Sequence, residues 1–119
     1  MSRFVFVAGG AALAAVLSLA PAGAENPSVT VSASAPTPSG FYSVQAVKVP
    51  YGDIDLTTEQ GAAALLERLN LAARLACNEE RGVAQWPNLA KAFAHCHATA
   101  VMYAVKAVDA PLLSKRAAQ

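Results

Sequence analysis

Two long stretches of the chain repeat apolar residues at helical spacing, and a third, shorter one alternates them. In the first, Ala62, Leu65, Leu66, Leu69, Ala73, Ala76 and Cys77 recur at steps of three and four, which puts them on one stripe of an amphipathic helix. Glu59, Glu67, Asn70 and Arg74 fall on the other side. Thr57, followed three residues later by Gln60, has the spacing of a capping box, and Glu59 lies in the first turn, where the helix dipole favours an anion. Gly61 lowers helix propensity there, but it suits a close approach by the preceding strand. The stretch NEERG ends the periodicity, so this helix is predicted to stop near Asn78.

The second helical stretch opens at Trp86-Pro87-Asn88. Proline suits a first helical position, and the residue before it is pushed toward an extended conformation. Leu89, Phe93, Cys96, Ala100, Tyr103 and Ala107 form its stripe, widened by Val101, Val105 and Val108. Pro111 predicts an end near Asp109, leaving LLSKRAAQ as a frayed tail.

The alternating stretch is Val44 to Tyr51, where Val47, Val49 and Tyr51 share one face and Lys48 lies opposite. Pro50 removes a ladder donor, so the strand belongs at an edge. No second strand stands out. A lone strand leaves backbone groups unpaired, so it is expected to pair with a partner, to form a homodimer with the same strand of a second copy, or to lie extended over the helices. The predicted fold is mainly α: an antiparallel two-helix hairpin with a short N-terminal β-strand or extended arm.

The N-terminus changes the picture of where this fold belongs. Arg3, an apolar run from Phe4 to Ala20 and the small residues Ala22-Gly23-Ala24 read as a secretory signal peptide over residues 1–24, cleaved before Glu25. The competing reading is an uncleaved anchor, but a run of about 17 residues holding glycines and alanines is at the lower limit for spanning a bilayer. Residues 25–40, ENPSVTVSASAPTPSG, hold almost no large apolar side chain and read as a flexible linker. That leaves residues 41–119 as the folded domain.

Of the nine basic residues only Arg3 lies in the leader, so the remainder carries eight basic and eight acidic side chains. A neutral balance without a basic cluster argues against nucleic acid, where Lys and Arg supply most of the binding. It argues equally against an anionic membrane surface once the leader is gone. The expected location is periplasmic or secreted, and the expected partner is a protein or another component of the envelope.

Cys77 and Cys96 are the only cysteines. An even pair in an oxidising compartment points to a structural disulfide. Both lie on apolar stripes, so a helical hairpin can bring them face to face. Closing a loop of about 20 residues stabilises by about 3 kcal/mol on the chain-entropy model, a large share for so small a domain. The spacing is not that of C-x-x-C redox catalysts. His95-Cys96-His97 has the composition of a metal cluster, but residues two apart on a helix diverge, whereas chelating pairs sit three or four apart.

The stretch VPYGDIDLTTEQG holds Asp53, Asp55 and Thr57 at the spacing of the first calcium-loop ligands. Such a loop then needs Gly at position six and Glu at position twelve, and here Thr58 and Ala64 stand there. Paired carboxylates also serve acid/base chemistry, but no nucleophile, base or oxyanion donor accompanies them at a recognisable spacing. The plain reading tucks Ile54 and Leu56 under the helices and leaves both aspartates near solvent, supporting the turn and the helix start.

With the leader, the run VKVPYGDIDLTTEQGAAALLERLNLAARLAC and the second cysteine in AHCHATAVMYAVKAVDAPLL, the chain resembles the UrcA family of small exported bacterial proteins. The marks are the V-x-V-x-Y-x-D-x-D-L-x-T run, Gly61, Leu65, Arg68, the Ala-Ala before Arg74 and the Cys77/Cys96 pair, covering roughly residues 44 to 113. Trp86 stands outside that pattern. The resemblance implies an exported bacterial protein with no established activity, and it carries over no catalytic or binding residue. Residues and resemblance together predict a non-enzymatic binding or structural module, with no cofactor and no metal site. The alternative is a redox- or metal-responsive protein using Cys77, Cys96, His95 and His97.

Overall fold

The computed structural model describes Asn26 to Gln119, so the leader assigned to residues 1–24 lies outside the described residues. The chain forms strands β1 (Ser28–Pro36) and β2 (Tyr42–Pro50), then helices α1 (Glu59–Ala76) and α2 (Glu79–Gln85). A 3-10 turn (Pro87–Leu89) leads into α3 (Ala90–Val108), and α4 (Pro111–Ala117) closes the chain. The expected two-helix hairpin with one strand is therefore corrected: four helices pack with a two-stranded antiparallel sheet.

The segment read as a flexible linker holds β1. Its composition is poor in bulk, yet its alternation is regular: Val29, Val31, Ala33 and Ala35 are buried, while Ser28, Thr30, Ser32 and Ser34 are exposed. Small inward side chains suit the position, because α3 packs against β1 and presents its own buried alanines, Ala100 and Ala104. β1 pairs with β2 in continuous register from Ser28↔Pro50 to Pro36↔Tyr42, which supplies the second strand that β2 needs. On β2, Val49 is buried and Val47 packs against the core, as does Tyr51 just past the strand, in line with the alternation.

The helix boundaries follow local chemistry. α1 ends at Ala76, and Asn78 takes a left-handed conformation (φ 53°) that turns the chain into α2. Asp109 does the same after α3 (φ 54°). EERGVAQ, just past the expected end of the first helix, winds into α2 after Asn78. The tail expected to fray forms α4, with Pro111 in its first turn and Leu113 fully buried. Val31, Leu65, Leu69, Leu113 and Cys77 are fully buried in the main core, drawn from β1, α1, α4 and the residue after α1, and Phe93 of α3 is fully buried as well.

The inward stripe of α3 departs from the expected one. Phe93, Cys96, Ala100, Ala104 and Val105 are buried, whereas Tyr103 and Ala107 are exposed. A step of 3.6 residues from Ala100 reaches Ala104, not Tyr103.

Candidate functional site

Cys77 and Cys96 form a disulfide, with Cα atoms 6.0 Å apart. Cys77 follows the last residue of α1 and Cys96 lies on the inner face of α3, so the bond joins the two long helices through the core. Both half-cystines are buried.

The aspartate stretch is a joint between β2 and α1. Asp55 Oδ1 accepts the Thr57 N–H at 3.0 Å and the Thr57 hydroxyl at 2.5 Å. The Asp55 main-chain oxygen accepts the Thr58 hydroxyl at 3.0 Å, and that hydroxyl in turn accepts the Gly61 N–H at 3.0 Å. Thr58, not Thr57, is thus the N-cap of α1, a shift of one residue from the expected capping box. Gly61 is indeed a point of close approach, though what approaches is the Asp55 carbonyl rather than the strand.

Asp53 takes a different partner. Its two oxygens accept from Arg68 Nη1 at 2.9 Å and Nη2 at 2.7 Å, and Nη1 also donates to the Pro50 carbonyl at 2.9 Å. One guanidinium therefore ties the end of β2 and the following turn to the middle of α1. These hydrogen bonds from Arg68 hold the Asp53 carboxyl below the usual carboxylate range, and those from Thr57 do the same for Asp55. Carboxylates held ionised in this way are poor proton donors near neutral pH. Both remain near solvent, and Ile54 and Leu56 pack against the core.

The two histidines part company. His97 is half-buried, with Nε2 2.7 Å from Asn70 Oδ1 on α1 and Nδ1 3.2 Å from Glu79 Oε2 on α2. Asn70 donates its amide to the Leu66 carbonyl at 3.0 Å, and Glu79 lies 3.4 Å from Arg74 Nε. The result is a polar clasp joining α1, α2 and α3. His95 is exposed, with Nε2 3.5 Å from the Thr99 hydroxyl. Among the described residues no three His, Cys, Asp or Glu side chains gather as a metal cluster. Asn70 and Glu79 were hidden in sequence, because they lie 27 and 18 residues from His97.

A groove of about 370 Å³ runs between the hairpin and α3, lined by Ser32, Ser34, Tyr42 and Val44 on one side and His95, Thr99 and Tyr103 on the other. Its apolar rim is open to solvent: Tyr103 is 62% exposed, Tyr42 68% and Val44 76%. Among the described residues no helix is long and apolar enough to cross a membrane. No family model matches the chain, and neither a curated protein nor a solved structure matches it.

Proposed function

We propose that this chain is a small exported module of the bacterial envelope that acts by binding or structural support rather than catalysis. The observation that carries the reading is the buried Cys77–Cys96 bond between the two long helices, a device of proteins that fold in oxidising compartments. The leader-like N-terminus and the motif resemblance to the UrcA family support the same compartment. The exposed aromatic rim beside α3 supports a binding role, since contiguous apolar surface on a small domain marks contact sites. The two aspartates serve the joint between β2 and α1.

The test is the intact mass of the protein recovered from the periplasm, with and without thiol alkylation. The expected species begins at Glu25, is two hydrogens light and does not react. Full-length protein with two alkylated cysteines overturns the reading and favours a membrane-anchored dithiol, or the redox- or metal-responsive alternative through Cys77, Cys96, His95 and His97. Co-purified zinc or copper points the same way. A periplasmic pull-down then asks for the partner.

A further inference from the structure

Within this chain β2 is paired on one side only, by β1. In an antiparallel ladder the residues of one strand alternate, one turning its N–H and C=O to the neighbour and the next turning both away. The Tyr51 N–H donates to the Pro27 carbonyl at 3.0 Å, one step beyond the Ser28↔Pro50 pair. Val49, Val47, Gln45 and Ser43 therefore also face β1. Tyr42, Val44, Ala46, Lys48 and Pro50 turn their backbone groups to the free edge. Pro36 and Pro50 obey this parity, since both sit where no donor to the hairpin is needed, while Pro27, just before β1, only accepts. Arg68 obeys it too, reaching the outward carbonyl of Pro50 from α1.

The edge is therefore closed at one end and open along the rest. At Pro50 there is no N–H, and the carbonyl is taken. From Lys48 back to Tyr42, four outward residues have no strand partner among the described residues, and their side chains are exposed. Natural edges are usually guarded by charge, proline or a bulge. Here three of the four are Tyr42, Val44 and Ala46. α3 lies against β1 and α1 packs across both strands, while the outward backbone groups from Lys48 back to Tyr42 have no hydrogen-bond partner among the described residues.

We propose that two copies join antiparallel through this edge, making a continuous four-stranded sheet across a two-fold axis. Antiparallel pairing of one strand with itself is self-complementary, as a two-fold interface must be. The register that uses all four open residues pairs Tyr42 with the partner's Lys48 and Val44 with the partner's Ala46, and the axis passes beside Gln45. That register fits the charges: the one cation of the edge faces an aromatic ring, where cation–π attraction favours it, and is held away from its own copy. The inference goes beyond the envelope reading and does not depend on it, because the pairing is a property of the hairpin in any compartment.

Two variants of the full chain test it, read by light scattering after size exclusion at the highest soluble concentration. The wild-type chain is expected to run as a dimer. Ala46→Pro removes an outward donor while sparing every bond to β1, so it is expected to give a folded monomer with unchanged circular dichroism. Gln45→Cys places one cysteine from each copy at the axis, in a pair without mutual hydrogen bonds whose Cα atoms lie about 4.5 Å apart. It is expected to give a covalent dimer under oxidising conditions, with Cys77–Cys96 retained. A monomeric wild-type chain, or a dimer that Ala46→Pro leaves intact, overturns the proposal. If Ala46→Pro loses its fold, the Gln45→Cys result decides: a cross-link supports the pairing, and none overturns it.

Discussion

The ring of Phe93 on α3 lies directly against the α-carbon of Gly82 on α2. A β-carbon at position 82 would sit 2.1 Å from Cζ and 2.4 Å from Cε1 of that ring. Phe93 is fully buried, so the ring has nowhere to retreat. Gly82→Ala sets two effects against each other. In an open helix the change gains up to about 1 kcal/mol of propensity, whereas overpacking a core contact costs about 1–3 kcal/mol. Because α2 is held to α3 through this contact, the clash is expected to win. A lower urea midpoint for Gly82→Ala, partly restored by adding Phe93→Leu, is the expected outcome; a midpoint above the wild-type value refutes it.

The long helices were legible because their stripes repeat over four turns or more and their ends carry Asn78 and Pro111. β1 was not, because bulk and pattern gave opposite answers. Ser28–Pro36 holds only two valines, so its surface looks too small to offset ordering, yet Val29, Val31, Ala33 and Ala35 alternate without a break. Small side chains sufficed because α3 also presents alanines, a fact of tertiary packing that no window of the strand contains. α4 was missed for a similar reason: one buried residue, Leu113, holds it, and one residue makes no period. The ties at the candidate site were beyond local reading altogether. Arg68 is 15 residues from Asp53, and no local pattern links the two.

Gly61 makes a sharper prediction than Gly82, because its neighbour is backbone. A β-carbon there would lie 1.8 Å from the Asp55 carbonyl oxygen, which is already held by the Thr58 hydroxyl. Gly61→Ala must push the turn off the helix and break the cap. The expected loss is about 2 kcal/mol or more, combining overpacking with the roughly 1 kcal/mol of a lost N-cap. Thr58→Ala alone is expected to cost only that cap. The double variant should fall short of the sum, since both changes damage one turn. Additive losses in denaturant titrations would sever the link between them.

The Asp53–Arg68 pair predicts the acid limb of stability. The folded carboxyl is held below its ordinary value, chiefly by the hydrogen bonds from Arg68. The unfolded carboxyl takes up its proton at higher pH, near the ordinary value of about 4. The pair therefore contributes in full above that value, and the contribution is lost as pH falls through the depressed folded one. Asp53→Asn is expected to flatten this part of the stability–pH curve, and added salt to weaken it, because the pair is exposed. Arg68→Lys keeps the charge but cannot hold both oxygens and the Pro50 carbonyl together. It should behave closer to the asparagine variant than to the wild type in melts run across the acid range.

The disulfide predicts a coupling between reduction and unfolding. Exchange requires a thiolate to reach one of the two sulfurs, and Cys77 is 0% and Cys96 8% exposed. In the folded chain, reduction by a small thiol should therefore wait for the helices to part, and its rate should rise with urea in step with the unfolding equilibrium. Once reduced, the chain should lose about 3 kcal/mol, a large part of the 5–15 kcal/mol typical of a folded domain. Replacing both cysteines with alanine should cost at least as much, because it also leaves a cavity between α1 and α3. The check is alkylation-quenched reduction followed by mass spectrometry at several urea concentrations. A rate that ignores urea would mean that the bond is reached in the folded state, making it a chemically addressable site rather than a staple.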